Sequence, residues 1–365
     1  MDWIGIILFT SGMTILPNLR NQLLLGMNWG GGAYPWRSGH VLGALFTGFG
    51  TLVGFCFYEA YAGHQYPLIP MTLFKSIHYN ANVVCASLGG VVYYANSIVW
   101  PSMIGSLFTT NVSKTGWLSC AVGGGLLLGQ VLGGTGVRYL PRMKIQMTVA
   151  GVVATSFTAA VAASYASTET RTTAFILIGT IGAGYIENLT LSSTAYLWDP
   201  ADMGEWEHIT LKDIGLIHVG LVTGVLGAIR TAVSAIATSM YSSILATEAA
   251  KYLPQKVIPA AVSASLPSSS LATLFEAIQN DNLTAVPGIS QDIIAAVDAA
   301  VKDAYARSYQ TVYLCTLPFG ALLIISALFS PNVEQYLTDE VARKLHPTAT
   351  AETDEEVTAR HVEKH

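Results

Sequence analysis

The chain has 365 residues, of which 52% are hydrophobic and only 11% charged, and its mean hydropathy is +0.47. Soluble domains carry about 25% charged residues, so this composition excludes an ordinary soluble globular protein. It predicts an all-α protein that crosses a membrane several times. The formal net charge of −5 lies largely in the C-terminal tail and does not indicate a nucleic-acid partner. The four cysteines lie in apolar runs and have the spacing of neither a zinc site nor a disulfide framework.

Apolar runs close to the length of about 20 residues that spans a bilayer predict about eight transmembrane helices. The first covers residues 3–27 and is interrupted by polar residues at 17–22, which predicts a broken helix. The second covers residues 39–58, so residues 1–58 hold two helices. A polar connection at 59–79 follows, and we expect it to be cytoplasmic.

Six further runs predict a six-helix unit at residues 80–330. They cover residues 80–107, 117–134, 145–165, 173–197, 216–245 and 309–329. A long external loop at 247–307 contains prolines and amphipathic pieces, which predict a small cap over the membrane face. Pro318 in the last run predicts a kink. The tail at 331–365 is polar, so we expect it to be cytoplasmic and largely disordered.

Arg230 is the one permanent charge within the seventh predicted span. An arginine in the middle of a membrane helix costs roughly 2.5–3.5 kcal/mol on insertion scales, so it normally faces protein or a water-filled cavity. Two interpretations follow. Arg230 is either a buried residue satisfied by backbone carbonyls, or a residue that lines a cavity and takes part in ion coupling.

Glu187 places a carboxylate in the sixth predicted span, which makes it a candidate for proton or cation coupling. The alternative is that it lies close enough to the helix end to reach water. Other polar residues in the spans are candidates for the same substrate or proton pathway: Tyr185, Asn188, Tyr94, Asn96, Asn82 and Gln130. For the polar face of the third span, burial among helices and a substrate wall are equally open interpretations.

Two stripes of small residues predict close helix packing. The fourth span carries glycines at a spacing of four, and the seventh carries a similar set: Gly125, Gly129 and Gly133, and Gly220, Gly224 and Gly227. Spans three to five (residues 80–165) and six to eight (173–329) therefore predict two triads of opposite orientation, each with a glycine stripe on its middle helix. Inverted triads of this kind are typical of secondary transporters.

Eight spans would place both chain ends on one side of the membrane. The basic connection at 138–144 would then be cytoplasmic, as the positive-inside rule favours. Two sequons, at Asn111 and Asn282, fall in loops on the opposite face and are candidate glycosylation sites.

Several motifs together resemble those of the fungal fourteen-span drug/H+ antiporters of the major facilitator superfamily. They are DWIG at 2–5, LLGMNWGG at 24–31, YPLIP at 66–70, GWLSC at 116–120, GGGLLLGQ at 123–130, GVLGAIR at 224–230 and YLTDEVAR at 336–343. The trichothecene efflux pump branch is the most similar, with siderophore transporters nearby. The basic connection at 138–144 also resembles a signature of the superfamily, but Val137 stands near the position of its usual acidic partner.

The resemblance implies that the chain corresponds to the last eight of fourteen spans: two linker helices and the C-terminal six-helix half-bundle. It implies proton-coupled efflux of toxins or secondary metabolites, with the lipid bilayer, a small organic substrate and protons as partners. We expect a truncated half that needs the missing N-terminal half-bundle or a homodimer partner and does not transport alone. The plasma membrane is the expected location, with the vacuolar membrane as the alternative.

Two other functions remain open, namely uptake of siderophore-bound iron on the same scaffold and a non-transporting membrane partner protein. An enzyme is not expected, because the scattered histidines accompany no catalytic motif. No cofactor and no metal site are expected.

Overall fold

The computed structural model describes residues 8–9, 23–30, 34–61, 69, 71–140, 142–196, 215–264, 266–267, 270–279 and 289–332. Most of the first predicted span, the connection at 199–213, Asn282 and the tail beyond residue 332 lie outside these residues. The regular elements within them are all helical, and the protein is an all-α polytopic membrane protein. Seven helical stretches of the described residues are long and apolar enough to cross a membrane.

The helices, numbered in chain order, match most of the predicted spans, with ends that differ from the predicted ones. They are α1 (Leu23–Trp29), α2 (Gly39–Tyr61), α3 (Ile77–Met103), α4 (Val112–Tyr139), α5 (Met143–Ala160), α6 (Glu169–Tyr196), α7 (Gly215–Ser263), α8 (Leu271–Gln279), α9 (Gln291–Leu314) and α10 (Leu317–Ala327). A 3-10 turn, Met71–Lys75, precedes α3, and a π-helical turn, Ile104–Phe108, extends it. Another 3-10 turn, Val161–Ala163, ends α5.

Polar side chains define where three of these helices begin. The Ser76 side chain accepts a hydrogen bond from the backbone N–H of Tyr79 at the start of α3. Asn111 accepts from two backbone N–H groups at the start of α4, and Ser290 accepts from that of Ile293 in α9. Each satisfies N–H groups that the first turn of a helix leaves unpaired.

The connection predicted at 247–307 is helical over much of its length, because α7 continues to Ser263 and α9 begins at Gln291. At 1.5 Å per residue the 49 residues of α7 are roughly 73 Å long. A bilayer core is only about 30 Å thick, so the second half of α7 extends beyond the membrane.

Prolines do not end α7 because the extended part is held by an apolar cluster. Pro254 and Pro259 lie inside the helix. The cluster joins the end of α7 to α8 and to the start of α9, through Val257, Ala261, Leu266, Leu274, Ala277, Ile293 and Val297. The amphipathic pieces seen in the sequence therefore form a packed helical unit.

The break between α9 and α10 lies at Cys315 and Thr316. Pro318 occupies the second position of α10, where the missing backbone N–H is not needed. The kink predicted in this run is present and lies just before the proline.

α3 and α6 form the centre of the helical bundle and pack against each other. α4 lies on α6 and α7 lies on α3. Likewise α5 lies on α6 and α10 lies on α3. The first set of helices, within residues 80–165, therefore packs on the second set, within residues 173–329, in the same way as the second packs on the first. α1 packs between α2 and α7, where the Ser243 hydroxyl donates a hydrogen bond to the carbonyl of Gly30.

Candidate functional site

Arg230 and Glu187, the two charged residues singled out in the spans, form an ion pair between α7 and α6. The distance from Arg230 Nη1 to Glu187 Oε1 is 2.7 Å, and the side chains are 15% and 12% exposed. Glu187 lies more than two turns before the end of α6 at Tyr196. The carboxylate is therefore held by Arg230 inside the bundle and does not sit at the helix end.

Gly90 on α3 makes room for Arg230, a role that the sequence analysis missed. A methyl group at Gly90 would lie 3.1 Å from Arg230 Nε and 2.6 Å from the hydroxyl of Ser234. Both of these atoms are buried and have no hydrogen-bond partner among the described residues. Arg230 is thus held by one carboxylate and keeps a donor that a ligand could use. The only sequence signal was the glycine pair Gly89-Gly90 in an apolar run.

Two of the predicted pathway residues instead belong to closed hydrogen-bond networks. The Tyr185 hydroxyl donates to Gln146 Oε1 at 2.6 Å, and Gln146 Nε2 donates to the carbonyl of Leu140 at 2.6 Å. This network joins α6 to the connection between α4 and α5. We infer a structural role for Tyr185.

Asn82 lies in the second network, and its side chain is fully buried. Its amide donates to Ser193 at 2.8 Å and to Thr194 at 3.1 Å, and its carbonyl accepts from Ser330 at 2.9 Å. Both amide hydrogens are used and the carbonyl oxygen has a partner, so this fully buried amide has no free donor to offer a substrate.

The remaining predicted polar residues have no recorded hydrogen bond or ion pair to the side chains of Arg230 and Glu187 among the described residues. Asn96 lies in a small internal cavity between α3, α5, α7 and α9. Tyr94 is half-buried, with its ring edge-on to Tyr93 at a centroid distance of 5.1 Å. Asn188 lies against Gly133, and Gln130 is half-buried on α4. Of the predicted site residues, Arg230 and Glu187 are the two that the structure joins by an ion pair among the described residues.

The glycine stripe of α4 lies directly against α6. A methyl group at Gly125 would overlap Thr180, and one at Gly129 would overlap the carbonyl of Ile181. At Gly133 it would lie 3.0 Å from Asn188 Cβ. These glycines allow the two backbones to approach closely, as small-residue stripes do in membranes.

The stripe of α7 does not pack in this way within the described part of the chain. A methyl group at Gly220, Gly224 or Gly227 would meet no described atom within 4 Å. α7 instead packs on α3 through larger side chains, Val222, Val225 and Leu226, and through Gly90 on the facing helix. Among the described residues the α7 stripe therefore lies beside the face that packs on α3 and is partly exposed, and its role in close helix packing stays a prediction.

Asn111 is exposed at the start of α4, while Asn282 lies outside the described residues. No cluster of potential metal ligands occurs in the described ranges. The four cysteines are free thiols.

A sequence profile described as "Fungal trichothecene efflux pump (TRI12)" matches residues 1–360. The chain belongs to the fungal trichothecene efflux pump family. This family consists of membrane efflux pumps and not of enzymes, in line with the resemblance of the chain's motifs.

Several curated relatives align with nearly the whole chain. The trichothecene efflux pump of Fusarium sporotrichioides is 26% identical over 362 residues, which are 97% of this chain and 57% of the relative. The pump of Trichoderma arundinaceum is 25% identical, with the same two shares, 97% and 57%. The MFS-type transporter prx5 of Penicillium rubens is 28% identical, over 93% of this chain and 59% of the relative. The chain thus spans a little over half the length of these relatives.

Proposed function

We propose that the chain is the C-terminal part of a proton-coupled exporter of small organic molecules, and that the Glu187–Arg230 pair is its coupling element. The observation that carries the proposal is the 2.7 Å ion pair inside the bundle. Two relatives are named trichothecene efflux pumps, so trichothecenes are the first substrates to assay.

The chemistry of the pair suits coupling. An ionised Glu187 holds Arg230 by charge attraction, and a proton on the carboxylate removes that attraction. Arg230 could then turn toward a polar or anionic group of the substrate, because its Nε has no partner among the described residues. Ionised Glu187 and the substrate would compete for one guanidinium, so that proton binding at Glu187 and substrate binding at Arg230 would be linked, as coupling requires.

A second half-bundle is needed to enclose a transport cavity. In transporters built from repeats, the substrate lies at the interface between the repeats near the middle of the membrane. The face of α7 that carries Gly220, Gly224, Ala228 and Thr231 is exposed and offers a surface of small residues to such a partner. We therefore propose that this chain transports only together with an N-terminal half-bundle.

The test is flux in liposomes that carry a pH gradient. The 365-residue chain is reconstituted alone and with the part of the Fusarium sporotrichioides pump that it lacks, and trichothecene movement is measured. Flux is expected only when the chain and the complementary part are reconstituted together. An equal, gradient-dependent flux from the chain alone would contradict the need for a second half.

The coupling role is tested by Glu187→Gln in the transporting assembly, which should abolish the dependence of flux on pH. Glu169→Gln is the matched control, because Glu169 lies on the same helix but pairs with Lys114 at an exposed end. Wild-type pH dependence in the Glu187 variant would exclude that residue as the coupling group.

Uptake of siderophore-bound iron on the same scaffold is the second candidate. Its assay is uptake of a radiolabelled ferric siderophore by the same assembly. A chain that moves neither substrate in any assembly, yet copurifies with one fixed transporter, would instead be a non-transporting partner protein.

A further inference from the structure

Four helices of the bundle direct buried polar side chains into one small internal cavity. Asn96 of α3, Thr158 of α5, Tyr241 of α7 and Tyr313 of α9 all line it, and each is 1% or 2% exposed. The rest of the lining is mainly aliphatic, with Thr316 at the break between α9 and α10.

Each of these four side chains has a polar atom without a hydrogen-bond partner among the described residues. They are Asn96 Nδ2, Thr158 Oγ1, Tyr241 Oη and Tyr313 Oη. A buried polar group left unpaired costs about 1–3 kcal/mol. Four such groups at one cavity are too costly to be accidental, and they are the usual surroundings of an internal water molecule.

The size and charge of the cavity identify the ligand. About 10 Å³ is open to the centre of a water molecule, which is enough for one water and too little for an organic substrate. None of the lining residues is charged, so a bound ion would have no counter-charge. Hydroxyl and amide groups can between them donate to and accept from a single water.

We propose that this cavity is a binding site for one ordered water molecule that bridges α3, α5, α7 and α9. Asn96 and Thr158 lie in the first set of helices, residues 80–165, and Tyr241 and Tyr313 lie in the second set, residues 173–329. The water therefore links the two sets through hydrogen bonds that no direct side-chain contact supplies.

Occupancy is tested by X-ray radiolysis of the full chain in ¹⁸O-labelled water, followed by mass spectrometry. A water at the site should transfer labelled hydroxyl groups to Tyr241 and Tyr313 several-fold faster than to Tyr79. Tyr79 is an equally buried control, whose hydroxyl bonds directly to the carbonyl of Val222. Labelling of Tyr241 and Tyr313 that is as slow as that of Tyr79 would overturn the proposal.

Thermal unfolding gives an independent readout. The change in Tm caused by removing a tyrosine hydroxyl has opposite signs for a cavity that holds water and for an empty one. If a water bridges the groups, Tyr241→Phe and Tyr313→Phe each lower the Tm by about 2 °C, and the double variant loses less than the sum. If the cavity is dry, removing an unpaired hydroxyl raises the Tm, and the proposal fails. Tyr309→Phe is the positive control. It removes hydrogen bonds to Ser102 and Ser106 and should lower the Tm, which shows that the assay detects the loss of a bonded hydroxyl group.

Discussion

Arg230 on α7 and Glu187 on α6 satisfy each other across the bundle, at 2.7 Å between Nη1 and Oε1. Neither charge would be tolerated at this depth alone, since lone charges in a membrane span are costly. The ion pair explains how both charged residues can lie within membrane spans. It also means that a substitution at one residue changes the effect of a substitution at the other.

The effects of substitutions at Glu187 and Arg230 on the stability of the chain should be strongly non-additive. Glu187→Gln or Arg230→Gln alone leaves one uncompensated charge, and breaking a buried pair costs on the order of 3–5 kcal/mol. The double variant removes both charges and should be more stable than either single variant. Thermal unfolding of the purified chain measures this. Additive losses would mean that the two residues do not interact.

Gly129→Ala should destabilise the contact between α4 and α6. The added methyl group would overlap the backbone carbonyl of Ile181, which cannot move without shifting α6. Overpacking of this kind costs about 1–3 kcal/mol or more. Gly124→Ala is the control on the same helix, since its methyl group meets no described atom within 4 Å, and it should leave the Tm unchanged or slightly raised. An equal change in Tm for the two variants would contradict the close contact between α4 and α6 at Gly129.

Gly224→Leu tests the exposed stripe of α7. A methyl group at Gly224 meets no described atom within 4 Å, so we expect the Tm of the purified chain to stay the same. If the stripe contacts a second half-bundle, the bulky leucine should abolish copurification with that half. Gly43→Leu on α2, also in open space, should leave copurification intact. Normal association of the Gly224 variant would remove the stripe from the proposed interface.

Tyr185→Phe should lower stability by about 1 kcal/mol through loss of the hydrogen bond to Gln146. Transport by the complete assembly should persist, because that hydroxyl joins helices and is not free for a substrate. Tyr94→Phe, whose hydroxyl has no recorded partner among the described residues, should leave stability unchanged. Loss of flux in a stably folded Tyr185 variant would restore the pathway role predicted from sequence.

The sequence by itself determined the class of protein, the positions of most helices and the two charged residues of the candidate site. Long apolar runs can only be spans, because every backbone polar group in lipid must be bonded within a helix. The cost of charge in lipid likewise singled out Arg230 and Glu187 before any geometry was known. Asn82 and Tyr185 stood out for the same reason, but polarity alone does not separate a substrate contact from a structural hydrogen bond.

The tertiary structure decided which residues meet. Two glycine stripes look alike in sequence, yet among the described residues that of α4 is packed and that of α7 is not, because helix packing depends on which face the neighbour occupies. The cavity residues Tyr241 and Tyr313 gave no sequence signal, and Gly90 gave only its place in a glycine pair, since the importance of all three comes from atoms on distant helices. The helical extension of α7 through Pro254 and Pro259 also depends on partners far along the chain, which local propensity cannot anticipate.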